Sequence, residues 1–203
     1  MNQRRMVFLI VVIGFFSVFT FMPMAHGLSE VFKENVYKVG ALKPTDSVLK
    51  VKVGDRAPEF LLPAISGEKI SLKQYRGKKN VVLSFVPAAW TPVCSDQWPG
   101  YNIVKDIFDQ NDGVLLGITV DNIPTLFAWT NQMGKLWFPV LSDFWPHGAA
   151  AKKYGVLRSN GVSERALFVI DKKGIIGYID VHNINERPPL EDLVNALEKM
   201  NKR

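Results

Sequence analysis

The sequence predicts an α/β fold: a central mixed β-sheet flanked by helices, preceded by a leader and an extension. Three observations carry this. Short runs of β-branched and other apolar residues alternate with amphipathic stretches of helix length. The order closes on a hairpin signal, Asp171-Lys-Lys-Gly174, and then a last helical stripe opened by Pro188-Pro189. The one cysteine among the 203 residues, Cys94, lies where an apolar strand passes through a proline loop into a helix start.

Residues 1–27 stand apart from the domain. Arg4 and Arg5 precede an apolar stretch from Met6 to Met24, and Ala25-His26-Gly27 comes next, with small residues where a signal peptidase reads. A cleaved signal peptide fits this pattern. So does an uncleaved membrane anchor over residues 6–24, because the stretch approaches the ~20 residues that span a bilayer. A twin-arginine signal fits less well, since the stretch after Arg5 is too apolar. Both main readings put the protein outside the cytoplasm, periplasmic or secreted. Residues 28–50 mix polar, apolar and turn residues without a period and are expected to form an extension or linker, with its turn at Pro44-Thr-Asp-Ser47. Residues 51–203 form the domain and are ample for a full core.

Within the domain each element has its signal. Ile70–Leu72 is a short strand, and Gly77 ends the segment after it. Val81–Phe85 is a buried strand, four apolar residues in five, bounded by Gly77-Lys-Lys-Asn80 and by Pro87. A helix is predicted from Cys94 to about Asn111, where Ile103, Val104, Ile107 and Phe108 make an apolar stripe and Pro99 should kink it. Val114–Val120 is a strand, Ile123–Met133 a helix, Phe138–Leu141 a strand, and Ala149–Tyr154 a short helix closed by Gly155. Ala166–Ile170 and Ile175–Ile179 flank the hairpin turn, and Leu190, Leu193, Ala196 and Leu197 mark the last helix.

A helix start stabilises negative charge, so it favours the thiolate form of a cysteine placed there. With no second cysteine the chain has no disulfide framework and no internal resolving thiol. The formal charge of +6 falls by two without Arg4 and Arg5. Basic residues run no longer than pairs such as Lys78-Lys79, with no interleaved aromatics, so a solvated surface is favoured over a nucleic-acid partner. His147 and His182 lack a metal-ligand constellation and suit surface loops.

Pro87, Thr91 and Cys94 form the pattern P-x-x-x-T-x-x-C. Together with Val53-Gly-Asp-Arg-Ala-Pro-Glu-Phe-Leu-Leu62 and Arg165-Ala-Leu-Phe-Val-Ile-Asp171, in that order, it resembles the peroxiredoxins, thiol peroxidases of the thioredoxin superfamily. The nearest branch looks like the one-cysteine, alkyl hydroperoxide reductase E-like bacterial group. The resemblance runs from about Val53 to the C-terminus and implies a thioredoxin-like fold, a peroxide substrate, an external thiol or thioredoxin-like reductant, no cofactor, and a homodimer. It implies Cys94 as the attacking thiolate and Arg165 as the cation beside it; Arg158 and Arg76 compete for that place in sequence alone. Thr91 is expected to hold the site through its hydroxyl, accepting from backbone or sulfur and donating to the distal peroxide oxygen, or else to serve as a local loop or helix cap, and Pro87 is expected to shield the sulfur. Gln97 departs from the glutamate many relatives carry three residues after the cysteine, which removes a negative charge; it could instead complete a first-turn capping contact. Trp90, Trp98 and Trp145 could line an apolar mouth or, preferably, pack.

Three other functions fit less well. A thiol–disulfide oxidoreductase needs W-C-x-x-C, but Thr91 stands in Trp90-Thr-Pro-Val-Cys94 where the first cysteine would be. An exported interaction module would leave Pro87, Thr91 and Arg165 unexplained. A glutathione peroxidase-like enzyme needs glutamine and tryptophan motifs that are not found.

Overall fold

The computed structural model describes residues 30–202; the leader expected over residues 1–27 lies outside them. Among the described residues no helix is long and apolar enough to cross a membrane. The chain begins with α1 (Glu30–Asn35) and reaches the hairpin of β1 (Leu61–Pro63) and β2 (Lys69–Ser71), then β3 (Asn80–Phe85), α2 (Pro92–Gly100), α3 (Lys105–Gln110) and β4 (Gly113–Thr119). Next come α4 (Ile123–Met133), β5 (Val140–Ser142), α5 (Ala149–Tyr154), β6 (Arg165–Ile170), β7 (Ile176–His182) and α6 (Leu190–Asn201). The central sheet has the order β5-β4-β3-β6-β7. Strands β3, β4 and β5 run parallel, while β6 runs antiparallel to both β3 and β7. The sheet is therefore mixed, as the sequence predicts.

All six residues of β3 are buried, and their alternation divides them between two cores. Val82 joins the layer of Trp98, Phe108, Leu126, Trp129 and Leu193 on one face. Val81, Leu83 and Phe85 join Tyr154, Phe168 and Ile176 on the other. A strand buried on both faces needs apolar side chains in both directions, hence its near-continuous apolar run. Of its two polar residues, Asn80 opens the strand and Ser84 is wholly buried on the α2 side.

The helix expected over 94–111 comes in three pieces: α2, a 3-10 turn over Tyr101–Val104, and α3. Pro99 removes a backbone donor in the last turn of α2, and the chain tightens directly after it. The interruption thus falls behind Cys94, beyond the first turn of the helix. The helix also begins earlier than expected. Thr91 is its extended N-cap (φ −110°, ψ 151°) and Pro92 takes the first helical position, where a missing N–H costs nothing.

Residues 36–50 cross the domain surface without regular secondary structure. Leu42 donates its N–H to Asn185 Oδ1 and accepts from Asn185 Nδ2, both at 2.8 Å. Ile184 N–H donates to the Pro44 carbonyl at 3.1 Å, and Lys50 N–H to the Tyr154 carbonyl, also at 3.1 Å. Gly155, at φ +79°, makes room for that last contact; a Cβ there would stand 2.3 Å from Lys50 N. Ahead of this strap, Phe32 of α1 is fully buried against Trp90, with ring centroids 5.8 Å apart.

Candidate active site

Cys94 occupies the third position of α2, behind Pro92 and Val93. Helical side chains lean toward the N-terminus, and the first-turn N–H groups have no intrahelical acceptor, so Cys94 sits at the positive end of α2. The thiol has no exposed surface.

The loop that delivers it is held from four sides. Ser163 Oγ donates to the Val86 carbonyl at 2.8 Å. Ala89 N–H donates to Asp121 Oδ2 at 2.8 Å, and Thr119 Oγ1 donates to the same oxygen at 2.6 Å. Thr91 Oγ1 donates to the Ala88 carbonyl at 2.9 Å. From the strap, Tyr37 N–H donates to the Trp90 carbonyl at 2.7 Å. Trp90 itself sits at φ 59°, an uncommon conformation for a bulky residue, where the chain turns into the helix. Pro87 is buried in this loop and lines the cavity beside it.

Alternation and register place Arg165. On β6, Leu167 and Val169 belong to the α2-side core, and Arg165 shares their face. Its neighbour Ala166 pairs with Phe85, the last residue of β3, so Arg165 stands one step beyond that strand's end, beside the Cys94 loop. The guanidinium is 2 % exposed. It donates to Cys94 Sγ at 3.6 Å, twice to the Ile184 carbonyl at 3.0 and 3.2 Å, and to Gln97 Oε1. All these partners are neutral except the sulfur when ionised. Among the described residues Arg165 makes no ion pair with a carboxylate.

Gln97 makes no capping contact, since the start of α2 has no side-chain cap. Instead it is buried, and its amide N–H group donates to the Tyr101 hydroxyl at 2.7 Å and lies 3.4 Å from Ser84 Oγ. Burial pushes the Tyr101 phenol up, keeping it neutral and protonated. Trp98 Nε1 also donates to Ser84 Oγ, at 3.3 Å. A closed polar network thus fixes the amide that fixes Arg165. Neither Tyr101 nor Ser84 was singled out from sequence, although a lone serine inside a buried apolar strand was the available signal.

The competing cations are engaged elsewhere. Arg158 forms a buried ion pair with Glu164 at 2.5 Å and donates to the strap's Lys43 carbonyl at 2.8 Å. Arg76 pairs with Glu59. Trp98 is fully buried against Trp129, centroids 5.0 Å apart, while Trp145 is 79 % exposed. No tryptophan lines the cavity. Exposed His147 meets the Gly161 carbonyl, and half-buried His182 pairs with Asp180 on β7. Among the described residues no cluster of His, Cys, Asp and Glu could hold a metal ion.

Beside the Cys94 loop lies a cavity of about 430 Å³, lined by Pro87, Thr91 and Arg165 though not by Cys94 itself. Thr91, Val93 and Arg165 form its inner side, and Val39, Gly40, Ala41 and Leu42 of the strap form an outer wall.

The AhpC/TSA family model matches residues 53–179. Alkyl hydroperoxide reductase E of Mycobacterium tuberculosis is 38 % identical over 137 residues, covering 67 % of this chain and 89 % of that one. A chloroplastic 2-cysteine peroxiredoxin from Chattonella marina var. antiqua is 31 % identical over 159 residues, covering 74 % and 80 %. Among solved structures, the reduced 2-Cys peroxiredoxin of Plasmodium vivax superposes with a TM-score of 0.68 at 29 % identity, over 72 % of this chain and 80 % of that one.

Proposed function

The chain belongs to the AhpC/TSA family and is a thiol-dependent peroxidase of the one-cysteine type, and from that premise we propose Cys94 as its nucleophile. The observation that carries the assignment is the buried Arg165 guanidinium, 3.6 Å from Cys94 Sγ and without a carboxylate partner among the described residues. A buried cation is stable only when its charge is answered, and the Cys94 thiolate answers it.

The thiolate attacks one oxygen of the peroxide. An S–O bond forms, the O–O bond breaks, and the leaving oxygen departs as alkoxide or hydroxide, which takes a proton to give alcohol or water. Arg165 stabilises the charge as it passes from sulfur to the leaving oxygen. The single hydrogen of Thr91 is committed to Ala88, so toward the peroxide its hydroxyl offers a lone pair that accepts the hydroperoxide O–H and orients it. Pro87 and the burial of the sulfur shield the resulting sulfenic acid from further oxidation. With no second cysteine in the chain, one external thiol condenses with the sulfenic acid and a second releases Cys94.

The apolar segment over residues 6–24, behind Arg4 and Arg5, supports an extracytoplasmic location by secretion or anchoring. A homodimer belongs to the same reading; exposed Phe144 and Trp145 are surface that a second copy would cover.

Stopped-flow oxidation of the reduced protein, with sulfenic-acid trapping, tests the assignment. Cys94→Ser should leave the fold intact and abolish turnover; peroxide turnover retained in that variant refutes it.

A further inference from the structure

The strap lies outside the family match, which begins at residue 53, yet it supplies an outer wall of the cavity beside the Cys94 loop. It is not loosely apposed. Its backbone is held by Asn185 at Leu42 and by Ile184 at Pro44, and Asp46 N–H donates to buried Glu164 at 2.6 Å. Ser159 donates both its N–H and its hydroxyl to Asp46 Oδ2. Val39, Ala41 and Leu42 line the cavity together with Val93, Val162 and Ile184.

Hydrogen peroxide needs none of this. It is two oxygen atoms, whereas a volume of about 430 Å³ falls within the ~300–1,000 Å³ that holds whole small-molecule ligands. An apolar wall gives such a molecule no hydrogen bond. Val39, moreover, is 46 % exposed, an apolar side chain left at the cavity mouth with incomplete cover.

We propose that the strap is a specificity element: Val39 and Leu42 hold the apolar substituent of an organic hydroperoxide while its O–O group engages Cys94, Arg165 and Thr91. The inference rests on the peroxidase assignment and adds the residues, outside the family match, that select among peroxides. Because Cys94 has no exposed surface, only the peroxide end-group reaches the sulfur. The substituent on the distal oxygen stays in the cavity, where contact with the wall favours the transition state for attack on a substituted peroxide.

The test compares second-order rates of Cys94 oxidation by cumene hydroperoxide and by hydrogen peroxide in the full chain. In the double variant Val39→Ser/Leu42→Ser, the cumene-to-hydrogen-peroxide rate ratio should fall about tenfold, the scale expected from losing a few buried methylene contacts. Ser159→Ala, which removes one hydroxyl bond to Asp46 of the strap and lies outside the cavity lining, should lower the same ratio. A ratio unchanged in both variants, with the wild type fast on both peroxides, overturns the strap's role and leaves the peroxidase assignment standing. A wild type no faster than a free thiol on either peroxide removes both.

Discussion

Two arginines are buried almost equally beside the start of β6: Arg158 is 5 % exposed and Arg165 2 %. Arg158 has a carboxylate partner, Glu164, itself wholly buried, and the pair holds the strap through Lys43 and Asp46. Arg165 has a carbonyl, an amide oxygen and a sulfur. The first arrangement is electrically closed and therefore structural. The second lacks one negative charge, which in the proposed mechanism a thiolate at Cys94 provides before reaction and the leaving oxygen takes over during it. A buried cation left open in this way marks the reactive end of the molecule more sharply than burial alone.

Substitution should separate the two. Arg158→Met leaves Glu164 as an uncompensated buried charge, and breaking such a pair costs about 3–5 kcal/mol of stability. Denaturant unfolding reads that loss directly. Replacing both partners with apolar residues of similar volume should restore most of it. Arg165→Ala should behave in the opposite way. Peroxide oxidation of Cys94 should slow by roughly a hundredfold or more, the scale for losing one pre-placed donor in a catalytic site. Its loss of stability should be smaller than that of Arg158→Met, because no carboxylate is left behind. If Arg165→Ala unfolds the protein and Arg158→Met slows the chemistry, the division between the arginines is wrong.

A third variant probes how the closed arrangement holds the strap. Asp46 is held well below the usual carboxylate range, first by the Ser159 hydroxyl, then by the Ser159 N–H and by Lys43. A folded-state pKa below the unfolded value of ~3.9 contributes stability above that pH, and the contribution disappears as pH falls through the folded value. The melting temperature of Asp46→Asn should therefore lie below wild type at neutral pH, and the gap should narrow below about pH 4. A gap constant from pH 7 to pH 3 would show that Asp46 docks the strap without its charge.

The two regions also differed in how far sequence disclosed them. Cys94 was legible because a strand, a proline and a helix start succeed one another locally. Arg165 needed the family resemblance, since a charged residue opening a strand has no signature of its own; the register with β3 then shows why that position reaches the thiol. The strap was invisible. A segment without regular structure has no period, and its bonds run to residues as far as 143 positions away, as from Leu42 to Asn185. The succession of strands and the closing hairpin were predicted because each is encoded by apolar runs and turn residues within a few positions. The single helix expected over 94–111 failed at a break that Pro99 announced, because an apolar stripe continues through a 3-10 turn almost as well as through an α-helix.

The finest test of the comparison uses the amide. Gln97→Glu keeps the size of the side chain and its contact with Arg165 while placing a carboxylate beside the guanidinium, converting the open arginine toward the closed state of Arg158. The added negative charge also lies within the field of the Cys94 thiolate, so it disfavours the ionised sulfur while competing for its cation. The Tyr101 and Ser84 hydroxyls, which accept from the Gln97 amide, can turn to donate to the new carboxylate, which limits the cost of burying it. Opposing terms of this kind leave a small net effect, about a threefold slower oxidation at neutral pH, small beside the loss expected from Arg165→Ala. The stopped-flow rate against pH measures it. A faster Gln97→Glu variant would mean that the carboxylate improves the arginine's alignment more than it drains its charge, and the open cation would then not be what drives the site.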